Sequence, residues 1–129
     1  MKKYKLFILS FLLVSCSYIM LQEKGSIKLE NGEGKKVSVT YEILDFQKVK
    51  QFLNKSEFDK IVPEASSKAK ETCKYPLTYE PRKFELYMDN GTTIICIYYS
   101  AKNGFGVPLE IHSFVKFSGT TFKEIDTAS

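Results

Sequence analysis

Apolar and polar positions alternate with two different periods along the chain. Residues 26–30 (Ser-Ile-Lys-Leu-Glu) and 37–43 (Val-Ser-Val-Thr-Tyr-Glu-Ile) alternate every second position, with Asn31-Gly32-Glu33-Gly34 as a break between them. This predicts a strand pair. From Phe46 the period lengthens. Phe46, Val49 and Leu53 fall at helical spacing, and Phe58, Ile61, Val62, Ala65, Ala69 and Cys73 form a second apolar stripe, so two helical pieces are expected. Ser56 with Asp59 three residues on imitates a capping box at the start of the second piece. Pro63 either kinks that helix or opens a new one at its first turn, and Pro76 and Pro81 make residues 75–81 an extended connection.

Residues 83–125 read as a meander of strands. Phe84, Leu86 and Met88 face one way, Asp89-Asn90-Gly91 makes a turn, and residues 92–99 form a long strand rich in Ile, Thr and Tyr. Two registers are open at that turn. A two-residue turn at Asn90-Gly91 pairs Asp89 with Thr92 and sets Cys96 beside Glu85, opposite Leu86; a three-residue loop pairs Met88 with Thr92 and brings Cys96 to the Leu86 face. After the glycine-bearing loop of residues 100–106, residues 107–117 form a strand with Leu109, Ile111, Ser113, Val115 and Phe117 on one side. Ser118-Gly119 signals a second tight turn, and residues 120–125 the last short strand. No repeat or low-complexity tract stands out. The expected class is α+β, a kinked helix or two helices packed on one face of an antiparallel sheet of four to five strands. That element order is similar to cystatin-like and nuclear-transport-factor-like folds.

The chain's 129 residues, 43% of them hydrophobic, suffice for one domain with one core. The net charge of +4 has a local origin, because Lys2, Lys3 and Lys5 lie in a segment without acidic residues; the rest carries 16 basic against 15 acidic side chains. With a single Arg and scattered Lys there is no basic stripe for phosphate backbones, and nucleic acid is not an expected partner.

A charged start followed by the apolar run of residues 6–14 has the layout of a secretory signal peptide. The run ends in Leu13-Val14-Ser15-Cys16, which resembles the lipobox of bacterial lipoproteins. The resemblance implies diacylglycerol transfer to the Cys16 sulfur, cleavage before Cys16 and acylation of the new amine. It divides the chain into a signal peptide (1–15), a lipidated tether (16–25) and a domain (26–129), with the membrane as a partner through the anchor. Ser17 stands where an Asp would mark inner-membrane retention, so in a Gram-negative cell the outer membrane is the implied destination. Two other readings stay open: an uncleaved membrane anchor over residues 6–21, shorter than the roughly twenty residues a spanning helix needs, and an ordinary signal peptide, for which no A-x-A-like site is present.

With Cys16 lipidated, Cys73 and Cys96 remain as an even pair in an oxidising compartment, and a disulfide between them is the economical reading. It would close a loop of about 23 residues and stabilise by roughly 3 kcal/mol. Cys73 ends the helical stripe, so this bond favours the three-residue loop, with Phe84, Leu86, Met88, Ile94, Cys96 and Tyr98 on the helix-facing side. The alternative is two buried free thiols.

Candidates for chemistry are few. His112, the single histidine, shares a strand face with Glu110, Phe114 and Lys116; with Glu85 it completes the set of possible acids and bases. No G-x-S-x-G, P-loop, H-E-x-x-H, G-x-G-x-x-G or C-x-x-C motif is present, and neither a cofactor nor a metal is expected. The aromatic residues Tyr75, Tyr79, Tyr87, Tyr98, Tyr99 and Phe105 are numerous enough for a contact surface. A patch of Tyr87, Tyr99, Ile95 and Ile97 left uncovered by helix would imply a partner. The loop Asn103-Gly104-Phe105-Gly106 is the other candidate. The expected function is a lipid-anchored envelope protein with a small, non-enzymatic binding domain for a partner protein, wall component or apolar ligand. The alternatives are a hydrolase of wall or host polymers using Glu85, Glu110 or His112, and an inhibitor or immunity protein that blocks another active site with the 103–106 loop.

Overall fold

The computed structural model of the chain describes residues 20–118 and the backbone of Glu124–Ala128. The expected signal peptide, Cys16 and residues 119–123 of the expected turn and last strand lie outside the described residues. Strands β1 (Lys24–Glu30) and β2 (Lys36–Ile43) pair as an antiparallel hairpin, so the last two residues of the expected tether are already strand. A short helix α1 (Phe46–Val49) and the long helix α2 (Lys55–Glu71) follow, then a 3-10 turn (Pro76–Thr78) and strands β3 (Glu80–Asp89), β4 (Thr92–Lys102), β5 (Pro108–Ser118) and β6 (Glu124–Ala128). All six strands form one sheet in chain order.

The class is α+β, but the sheet is mixed and has six strands. β2 and β3 run parallel. The physical reason lies in helix length: α2 has 17 residues and rises about 25 Å, enough to carry the chain back along an eight-residue strand of about 27 Å, so β3 re-enters at the end where β2 began. A crossover of that kind joins parallel neighbours.

Helix α2 starts two residues earlier than Ser56 suggests. Asn54 is the cap: its side chain accepts from the Glu57 backbone and the Glu57 carboxylate accepts from the Asn54 N–H. The helix continues through Pro63, which sits on its exposed side, where water can serve the freed carbonyl. Its other side buries Phe58, Ile61, Val62, Ala65, Ser66 and Ala69 against the sheet. Phe58 meets Tyr41 (5.0 Å between ring centroids) and Phe84 (6.0 Å), anchoring the helix over the parallel junction.

The β3–β4 register corrects the sequence expectation. Asp89 pairs with Thr92 and Glu85 with Cys96 across a two-residue turn whose Asn90 and Gly91 both have positive φ, 48° and 77°. That geometry matches the right-handed strand twist. A one-residue slip reverses every side chain, so Thr93, Ile95, Ile97, Tyr99 and Ala101 lie under the helix with Phe84 and Leu86, while Ile94, Cys96 and Tyr98 lie on the open face. Cys73 packs against the helix-side core, and Cys96 lies on the other side of the sheet. The register expected to bring them together does not form.

Candidate functional site

One end of the sheet gathers the β1–β2 loop (residues 31–35), the 3-10 turn and the β4–β5 loop (residues 103–107). The turn is strapped between the two loops. Gly32 N–H donates to the Tyr79 carbonyl at 2.7 Å on one side, and Lys102 N–H donates to Thr78 Oγ1 at 2.9 Å on the other. Asn31 Nδ2 adds a bond to Glu80 Oε2 at 3.2 Å.

Each loop is fixed by one asparagine. Asn103 Oδ1 accepts from the Phe105 and Val107 N–H groups, its carbonyl accepts from Gly106, and its own N–H donates to the Val107 carbonyl. Gly106 takes a φ of 75°, which glycine adopts without strain. The loop holds Phe105 at its tip with 92% of the residue exposed. Val107 (50%) and Leu109 follow in the chain, and Leu77 (71%) and Tyr75 project from the 3-10 turn segment at the same end. Between turn and loop is a cavity of about 460 Å³ lined by Tyr75, Pro76, Leu77, Gly106 and the two lysines Lys74 and Lys102. No carboxylate lines it. Isolated exposed apolar residues are ordinary, but five large ones on two adjoining segments beside a cavity have the character of a contact surface.

The expected binding residues divide between this end and elsewhere. Asn103, Gly104, Phe105 and Gly106 form the loop itself. Tyr87 is half-buried on the open face, beside Ile94. Tyr99 is 1% exposed beneath the helix, its hydroxyl paired with Ser113 Oγ at 2.9 Å and its ring against Tyr79. The proposed Tyr87, Tyr99, Ile95 and Ile97 patch therefore does not exist, because the last three point into the core. Leu77, Val107 and Leu109 were missed; only the tertiary meeting of the 3-10 turn with the hairpin makes them a group.

The acid and base candidates sit apart in function. Glu85 accepts from Tyr98 O–H at 2.9 Å, a bond that pushes the Tyr98 phenol well above its usual range. Glu110 faces Arg82 at 3.8 Å, and His112 lies between the Tyr98 and Phe114 rings at 5.7 and 5.5 Å. The cavity of about 190 Å³ that Glu85 lines is shared with neither Glu110 nor His112. Burial pushes the Cys73 and Cys96 thiols up, away from the thiolate form a nucleophile requires. Among the described residues no cluster of three metal-ligating side chains occurs, and no helix is long and apolar enough to cross a membrane.

Neither a scan of protein-family models nor searches of curated proteins and of solved structures finds a match to this chain.

Proposed function

We propose that this chain is a lipid-anchored envelope protein whose domain holds a partner protein against its loop end. Phe105 carries the reading: it stands in solvent on a loop whose backbone is ordered by Asn103 and Gly106, neither of which depends on what occupies position 105. A pre-ordered aromatic tip loses little entropy when it enters an apolar pocket. Lys74 and Lys102 beside it favour a partner with an acidic rim around that pocket.

The anchor would enter at the opposite end. Ile43 N–H donates to the Glu23 carbonyl, which sets the start of β1 beside the end of β2. Strand β4, with eleven residues, spans about 35 Å between the two ends. A lipid on Cys16 would thus present the Phe105 end away from the bilayer, and Met20, Leu44 and Phe52, exposed near the anchor end, toward it. Two or three acyl chains make such attachment stable. The cystatin-like or nuclear-transport-factor-like element order belongs to the same proposal, with the sheet and helix as a rigid platform for the loops. An inhibitor or immunity protein that inserts this loop into another active site is a specific form of it.

Two measurements test the halves separately. Intact mass spectrometry of the membrane-extracted protein is expected to give residues 16–129 plus a lipid adduct; a full-length or lipid-free mass overturns the anchor. A photo-crosslinking amino acid at position 105 of the membrane-bound protein is expected to capture one partner that the same group at position 33 does not. Equal capture from both positions, or none, overturns the loop site.

A further inference from the structure

A third cavity lies between helix α2 and the outer hairpin, bordered by Tyr79 at the end of the 3-10 turn. It has a volume of about 250 Å³, and its lining includes Lys28, Lys36 and Lys70 with Ser66, Ser67 and Tyr79. The single carboxylate in the lining, Glu30, faces Lys36 at 3.8 Å. Lys28 and Lys70 have no carboxylate partner among the described residues. Every other polar side chain in the lining is able to donate.

The floor adds an independent observation. Ser66 Oγ and Tyr79 Oη share one hydrogen bond of 2.8 Å, and the two residues are 4% and 1% exposed. Two hydroxyls that share one bond use one of their two protons. The other O–H has no acceptor among the described residues, although both groups border the cavity. A buried donor left in that state is costly, and an acceptor entering the cavity removes the cost. Anionic oxygens accept without donating, and the surplus of ammonium groups favours their charge. The volume exceeds that of a bare phosphate group, and Leu29 and Pro63 supply apolar wall for an organic body.

We propose that this cavity binds a small organic anion, a phosphate- or carboxylate-bearing molecule, through Lys28, Lys70, Ser67 and the Ser66–Tyr79 hydroxyl pair. The proposal does not depend on the anchor or on the Phe105 loop. Its test uses the full chain, ¹⁵N-labelled and held in neutral detergent, titrated with inorganic phosphate, glycerol 3-phosphate and acetate, and separately mixed with phosphatidylglycerol vesicles.

The expected result is saturable shifts confined to the amides of Ser66, Ser67 and Lys70 and the facing Lys28 to Glu30 edge, with glycerol 3-phosphate binding more tightly than inorganic phosphate. Lys70→Gln should weaken it about tenfold, as should Lys28→Gln, with unchanged thermal stability because both side chains reach solvent. Binding of vesicles without binding of glycerol 3-phosphate would assign the anion to a lipid headgroup; the reverse would assign it to a soluble molecule. Absence of localised shifts with every probe, or equal shifts in the Lys28→Gln/Lys70→Gln double variant, overturns the proposal and leaves the spare hydroxyl to water.

Discussion

The β1–β2 and β4–β5 loops have the same backbone and different tips. Asn31-Gly32-Glu33-Gly34-Lys35 and Asn103-Gly104-Phe105-Gly106-Val107 each span five residues, and in each the asparagine Oδ1 accepts from the third and fifth N–H groups. The asparagine carbonyl accepts from the fourth, and Gly34 and Gly106 have φ of 81° and 75°. The first loop carries Glu33, which faces Lys35 at 3.9 Å, as a loop tip in water is expected to. The second carries Phe105. Since the same geometry forms around either residue, the loop backbone does not require an aromatic side chain there, which is what the proposed recognition role rests on. The first glycines of the two loops differ as well: Gly32 is pressed against the 3-10 turn, whereas Gly104 neighbours the movable end of Lys74.

The sharpest way to break the likeness is to add one methyl group to each loop. A Cβ at Gly32 would stand 2.1 Å from the Pro76 carbonyl oxygen, which belongs to backbone and cannot step aside; at Gly104 the nearest atom is Lys74 Nζ at 3.0 Å. Gly32→Ala is expected to destabilise by about 3 kcal/mol, the upper part of the usual overpacking range, and Gly104→Ala by less than about 1 kcal/mol. Urea denaturation of the two variants checks the difference; equal losses would mean that the first loop is not clamped by the turn.

Tyr79 links that clamp to pH. Its carbonyl holds Gly32, and burial pushes its phenol far above the ordinary value near 10. The folded state therefore keeps its proton where the unfolded chain has lost it. The corresponding stability is present below about pH 10 and falls as pH rises from there, by up to about 1.4 kcal/mol per unit for one group. Tyr79→Phe should flatten that alkaline decline. A denaturation series from pH 8 to 11 that shows the same slope in both proteins would place the titrating group elsewhere.

Removal of the loop asparagines gives the next effect. Asn31→Ala loses the Oδ1 bonds and the contact with Glu80, and should cost about 2 kcal/mol; Asn103→Ala loses Oδ1 bonds to solvent-exposed amides and should cost about 1 kcal/mol. The same variants, compared by denaturation midpoint, sharpen the contrast between a loop tied to the turn and one tied chiefly to itself.

What the sequence disclosed follows the same division between local and tertiary causes. The first hairpin, the apolar stripe of α2 and the alternation of Ser113, Val115 and Phe117 against His112 and Phe114 were legible because each is written in a single period. The β3–β4 register was not. Asp89-Asn90-Gly91 suits both turns, and an assumed bond between Cys73 and Cys96 tipped the choice to the wrong one, turning Tyr99 outward and Cys96 inward. The parallel pairing of β2 with β3 needed the length of α2 weighed against that of the strand. The likeness of the two N-G-x-G segments was not recognised in the sequence, because two four-residue matches gain meaning only from the hydrogen bonds that the folded loops display.

The smallest expected change in stability carries the most functional weight. Phe105 makes almost no contact with the rest of the domain, so Phe105→Ser should shift stability by no more than about 0.5 kcal/mol. The reciprocal Glu33→Phe should likewise leave the fold unaltered, since the loop backbone already tolerates the aromatic residue at the matching position. If the tip is a recognition element, Phe105→Ser abolishes capture of the partner found by crosslinking, and Glu33→Phe in the same chain does not restore it, because Lys74 and the apolar cavity beside it adjoin Gly104 and Gly106 of the second loop. A Phe105→Ser protein that is both as stable as the parent and as able to retain its partner would show the aromatic tip to be incidental, and the resemblance of the two loops to be complete.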